Sequence, residues 1–131
     1  MKKILTLTIL TLLIINSTAI ANEWVEVYYK TYVKLEKLDG DNVFYWAKYL
    51  NDGSIKPIAN KKVHFQMSYE VENCADNSSA TMASYFYGLN GSVLSSYVSP
   101  FYNTPKYLSY SPVIPQSIGE ALHKYACENS Y

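Results

Sequence analysis

The chain of 131 residues contains no arginine, only two cysteines and two histidines, and a single long apolar run, which lies at its N-terminus. Each shortage excludes something. Without arginine there is no guanidinium fork for bidentate capture of phosphate or carboxylate. Cys74 and Cys127 are far apart and form no C-x-x-C, so no metal is assigned to them. His64 and His123 belong to no H-E-x-x-H, and the G-x-S-x-G elbow, the P-loop and the glycine-rich dinucleotide signature are absent. Asp39-Gly40-Asp41-Asn42 looks like part of a calcium loop but lacks the spacing and terminal glutamate of an EF-hand; it reads as a hairpin turn. Neither catalytic residue nor cofactor is therefore assigned. His64 is expected on the polar face of a strand, and His123 on a helix beside Glu120 and Lys124 with its ring in solvent.

The one apolar run has the form of an export signal. Lys2 and Lys3 precede Ile4 to Ile15, and Thr18-Ala19-Ile20-Ala21 offers small residues for cleavage, so residues 1–21 are expected to be removed and 22–131 to form one domain. The run is shorter than the ~20 residues of a spanning helix. Without Lys2 and Lys3, nine lysines face eleven carboxylates, a formal charge of −2, which disfavours nucleic acid as a partner. In an oxidising compartment the two cysteines read as one disulfide.

What the chain has in abundance is tyrosine, fourteen in all. Tyrosine suits pleated sheets and also binding surfaces, because its ring orders at low entropic cost. Trp24 to Tyr32 reads as a first strand, with Val33 to Leu38 either continuing it or pairing with it after a bend. Val43 to Leu50, apolar on both faces, reads as a central strand. Val63, Phe65, Met67, Tyr69 and Val71 alternate with His64, Gln66, Ser68, Glu70 and Glu72, predicting one buried face and one wet face. Strands over Ala80 to Tyr87 and Ser92 to Val98, joined by Gly88-Leu89-Asn90-Gly91, predict a hairpin.

From Ser99 to Val113 three prolines alternate with Phe101, Tyr102, Tyr107 and Tyr110. This stretch is expected to be a long loop, serving either as binding surface or as an aromatic cover for the sheet. Asn77, in the polar stretch after Cys74, joins those four aromatics as a candidate contact residue. Next, Ser117 and Glu120 form an S-x-x-E capping box in which Ser117 accepts from the Glu120 amide and Glu120 reaches back. Ile118, Ala121, Leu122 and Tyr125 follow as the apolar stripe of a helix ending at Cys127. The fold class is α+β: a curved antiparallel sheet of five to six strands, with one C-terminal helix packed on one face and tethered by the disulfide.

This order of features resembles the surface-adhesin protein E family of exported bacterial domains. The matching pieces are Glu23-Trp24-Val25, Tyr45-Trp46, Glu70-Val71-Glu72-Asn73-Cys74, and Ile114-Pro115-Gln116-Ser117-Ile118-Gly119-Glu120 leading to Cys127. The resemblance implies a sheet with a disulfide-tethered C-terminal helix and, for the best-known members, binding of host extracellular proteins such as vitronectin, laminin and plasminogen. Two departures stand out: there is no lipidation cysteine, and there are no arginines around the first cysteine. The expected function is thus a non-enzymatic, exported protein-binding domain at the cell surface or in the medium. The alternative is a periplasmic accessory or inhibitor docking to an envelope partner. Open sheet edges add the expectation of an edge-to-edge homodimer. Asn77-Ser78-Ser79 and Asn90-Gly91-Ser92 match the N-glycosylation pattern, but the bacterial character of the signal and of the resemblance argues against modification.

Overall fold

A computed structural model describes residues 23–130. The expected export signal, residues 1–21, lies outside the described residues. Among those described, no helix is long and apolar enough to cross a membrane.

The strands follow from runs of β-branched and aromatic residues punctuated by tight turns. The stretch from Trp24 to Tyr32 is not one strand. Lys30 adopts a left-handed φ of +54°, which folds β1 (Val25–Tyr28) back against β2 (Thr31–Asp39). The bend therefore comes at Tyr29-Lys30, ahead of Val33. Gly40, at φ +59°, then turns the chain so that Asp39 faces Asn42 at the start of β3 (Asn42–Leu50). After an irregular segment come β4 (Phe65–Asn73), β5 (Ser78–Tyr87) and β6 (Val93–Val98). These six strands run antiparallel in sequence order, with β3 and β4 at the centre. A two-residue strand, β7 (Ser111–Pro112), pairs with Ser78 and Ser79 of β5, making seven. Since β6 pairs β5 only from Ala83 onward, the crossover leaves and returns along the same edge.

Alternation along β3 sends Val43, Tyr45 and Ala47 to one side of the sheet and Phe44 and Trp46 to the other. The first side packs with Val33, Leu35, Leu122 and Ala126 under helix α1 (Ile118–Asn129). The second packs Phe44 with Tyr69, Val71, Met82 and Leu108, beneath the crossover between β6 and β7. Both faces are covered, by different means. This overturns the expectation of a wet face on β4: Ser68 and Glu72 are buried, because α1 lies over the end of that strand.

Helix α1 begins as its cap predicts, with Ser117 Oγ accepting from the Glu120 amide at 3.1 Å. The same hydroxyl donates to the Ile114 carbonyl at 2.6 Å. The buried residues of α1 are Leu122, His123 and Ala126, while Ile118 is 41% exposed. The stripe is thus centred about one residue, ~100°, from the expected one. Two anchors set that rotation. Cys127 is bonded to Cys74, and His123, expected in solvent, is 9% exposed and bonded to Glu72.

The disulfide closes a loop with a sequence separation of 53. In the chain-entropy account a closure of that length contributes about 4 kcal/mol. The Cys74→Ala, Cys127→Ala double variant is accordingly expected to lose about that much stability in urea unfolding followed by circular dichroism. A loss under about 1 kcal/mol would show instead that apolar docking alone holds the helix.

Candidate functional site

The crossover is a chain of tight turns and not a slack loop. Ser99 is buried, and its amide donates to the Met82 carbonyl at 2.8 Å, fixing the start of the segment to β5. Amides of Tyr102, Thr104, Tyr107 and Leu108 then each donate to the carbonyl three residues back, at 3.0–3.1 Å, and Pro105–Tyr107 form a 3-10 turn. Proline at fixed φ favours these turns.

This conformation divides the aromatic residues. Tyr102 packs 5.7 Å from the ring of Tyr69, and with Leu108 and Tyr110 it roofs the Phe44, Tyr69 and Val71 cluster. Burial raises the hydroxyls of Tyr102 and Tyr110 above their ordinary range. Phe101 and Tyr107 point outward, 43% and 59% exposed, with ring centroids 6.2 Å apart and the Lys106 ammonium 5.0 Å from the Tyr107 centroid. Covering and exposed aromatics thus share one segment.

The crossover ends against the turn after Cys74, where the Val113 amide donates to the Asn77 carbonyl at 3.0 Å. Asn73 Oδ1 accepts from the amides of Ala75 and Asp76, and Asn77 takes a left-handed φ of +50°. That backbone turns the Asn77 side chain toward α1, where Oδ1 lies 3.2 Å from His123 Nε2. Its side-chain oxygen is therefore engaged at the edge of the helix, on an otherwise exposed turn.

A buried polar network lies on the helix side. Glu72, 2% exposed, accepts from the Tyr45 hydroxyl at 2.6 Å and meets His123 Nδ1 at 2.7 Å. Burial raises the Glu72 carboxyl, and the bonds from Tyr45 and His123 oppose that shift. Burial, then the charge of the neighbouring glutamates, keeps the Tyr45 hydroxyl protonated well above the usual tyrosine range. Two residues earlier on the same face, Glu70 accepts from the Thr81 hydroxyl, whose Oγ1 lies 3.0 and 2.9 Å from its two oxygens. A cleft of about 280 Å³ opens here, lined by Tyr45, Tyr49, Glu70, Ser79, Ile118 and Leu122. Burial pushes the Glu70 carboxyl up to about 7.

No local pattern marks the Glu72–His123 pair. The disulfide does imply it: Glu72 lies two residues before Cys74, on the same strand face, and His123 lies four before Cys127, on the same helix face. Joining the cysteines brings the two side chains together. Among the described residues, no group of three or more histidine, cysteine, aspartate and glutamate side chains is placed to hold a metal ion.

An open antiparallel meander, one C-terminal helix and a disulfide from the helix end to the β4–β5 turn define the class of fold. The solved structure of protein E from non-typeable Haemophilus influenzae is similar, with a TM-score of 0.53 and 13% identity over 86% of this chain and 80% of that one. At that identity the likeness concerns the fold. No protein-family model matches the chain, and no curated protein matches it in sequence.

The raised Glu70 carboxyl has a consequence for stability. A carboxyl whose folded value lies above its unfolded one is protonated in the folded state while the unfolded chain has already ionised, so stability falls as pH rises between the two. Between pH 4.5 and 7 the Glu70 contribution therefore declines with rising pH. Relative to wild type, a Glu70→Gln variant should gain in melting temperature as pH rises across that window. Parallel melting curves at every pH would contradict the assignment.

Proposed function

We propose that this chain is an exported, non-enzymatic binding domain that engages an extracellular protein through the outward aromatic residues of the crossover. One observation carries the reading: Tyr102, Leu108 and Tyr110 fix the segment to the sheet, while Phe101 and Tyr107 stand free on it. A presented aromatic pair on a pre-ordered backbone loses little entropy on binding, which is what a protein-recognition surface needs. The protein E-like fold supports the adhesin-type reading, as does a disulfide suited to an oxidising compartment. Vitronectin, laminin and plasminogen are the first partners to test, on the strength of the sequence resemblance.

The test is capture of each protein by the oxidised domain, immobilised and read by surface plasmon resonance. A Phe101→Ala, Tyr107→Ala double variant should weaken capture at least about tenfold with melting temperature nearly unchanged, because neither ring is buried. Tyr102→Ala should instead destabilise by roughly 2 kcal/mol or more through the cavity it leaves over Tyr69. Equal binding by wild type and the double variant would dismiss the crossover as the site. Recovery of the native protein only from the periplasm, crosslinked to an envelope component, would favour the accessory role.

The homodimer is proposed at β6. This strand is the outer member of the sheet over Val93–Val98, carries no charge, and has Val93, Tyr97 and Val98 about half exposed. The opposite edge, β1, is four residues long, contains Glu26 and is irregular between Glu26 and Tyr28, features that discourage pairing. Light scattering should show a concentration-dependent dimer that Ser96→Pro, at an amide facing the open edge, abolishes; a monomer at millimolar concentration would remove this proposal.

A further inference from the structure

The polar network beneath α1 also touches the disulfide. Cys127 Sγ lies against the His123 ring, 3.7 Å from Nε2 and 4.0 Å from Nδ1. Nδ1 faces Glu72 Oε2 at 2.7 Å, and Nε2 faces Asn77 Oδ1 at 3.2 Å. Both ring nitrogens thus meet oxygen atoms, which hold the ring in place against the sulfur. A hydrogen-bonding ring beside one sulfur of a disulfide makes that sulfur the better leaving group, because it stabilises the departing thiolate. Among the described residues, no histidine ring lies against the Cys74 sulfur. Cys74 opens the exposed turn Ala75–Asn77, and both cysteines are only half-buried.

We propose that Cys74–Cys127 is a directional thiol–disulfide exchange site, in which a low-molecular-weight thiol adds to Cys74 and Cys127 departs as a thiolate stabilised by His123. The incoming thiolate forms a new S–S bond to Cys74 Sγ. The Cys74–Cys127 bond breaks, and its electron pair leaves on Cys127 Sγ. That anion is stabilised by hydrogen bonding to the His123 ring, which stays bonded to Glu72, and takes its proton from solvent. The products are a mixed disulfide on Cys74 and a free sulfur on the helix, so the event releases the covalent tether of α1 while its apolar contacts with Val33, Leu35 and Val43 remain. This reading is independent of the binding function proposed above.

The test treats the oxidised protein briefly with 2-mercaptoethanol, quenches with an excess of N-ethylmaleimide and maps both cysteines by mass spectrometry. The expected product carries mercaptoethanol on Cys74 and maleimide on Cys127, in about tenfold excess over the reverse arrangement. Guanidinium-denatured wild type should show no such preference, which ties the effect to the folded geometry without any substitution. His123→Gln should bring the ratio toward parity. Should that variant fold poorly, Asn77→Gly keeps the left-handed backbone, removes the acceptor at Nε2 and should lower the ratio severalfold. Mercaptoethanol mainly on Cys127, or the same ratio in folded and denatured wild type, would overturn the proposal.

Discussion

A sheet whose central strands carry apolar side chains on both faces cannot remain half-solvated. β3 places Val43, Tyr45 and Ala47 on one side and Phe44 on the other, all nearly inaccessible to water. The burial of each large side chain is worth roughly 1.5–3 kcal/mol, so two covers are required. The described chain has one helix of useful length, and it covers one face. The second cover must come from elsewhere, and the crossover supplies it with Tyr102, Leu108 and Tyr110. The odd form of the Ser99–Val113 segment, rich in proline and aromatics, follows from that requirement. Its rings must reach the sheet while its backbone, lacking ladder partners, satisfies itself through short-range turns.

The helix side is settled by a different balance. Apolar contacts with Val33, Leu35 and Val43 bring α1 down on the sheet but leave its rotation loosely defined, since Ile118, Ala121, Leu122 and Tyr125 would have made an acceptable stripe. The disulfide and the Glu72–His123 contact remove that freedom. A buried carboxylate without partners would be costly, and the Tyr45 hydroxyl and His123 ring satisfy both of its oxygens. Polar groups therefore specify the orientation of a helix that the apolar core attracts. The same contacts place an imidazole beside the disulfide and leave Glu70, without a comparable set of donors, half-buried at the rim of the cleft.

Presented and structural aromatics are interleaved in this protein, so tyrosine content alone says little about function. Tyr102 and Tyr107 sit in the same segment, yet one is a roof tile and the other stands in solvent. In the proposed binding role the surface offered to a partner is narrow: Phe101, Lys106 and Tyr107, on a backbone already ordered by the need to cover the sheet. Recognition would then reuse a rigidity that folding requires anyway.

The local signals of the sequence were enough for most of the elements. The alternation on β4, the Gly40 turn, the Gly88 to Gly91 hairpin, the Ser117 cap and the cysteine pair all appear where short-range rules put them, because strands, turns and caps depend on neighbours within a few residues. The bend at Lys30 was not legible, since nothing about a lysine between β-formers announces a left-handed φ. Burial of Ser68, Glu72 and His123 was equally hidden, because period-two and helical patterns sort residues by polarity, and these are polar residues made internal by one another. The division of the crossover aromatics into Tyr102 and Tyr110 within, and Phe101 and Tyr107 without, was likewise decided only in three dimensions. Sequence determined what each segment could be; tertiary structure decided which faces met, because burial and pairing belong to residues brought together from opposite ends of the chain.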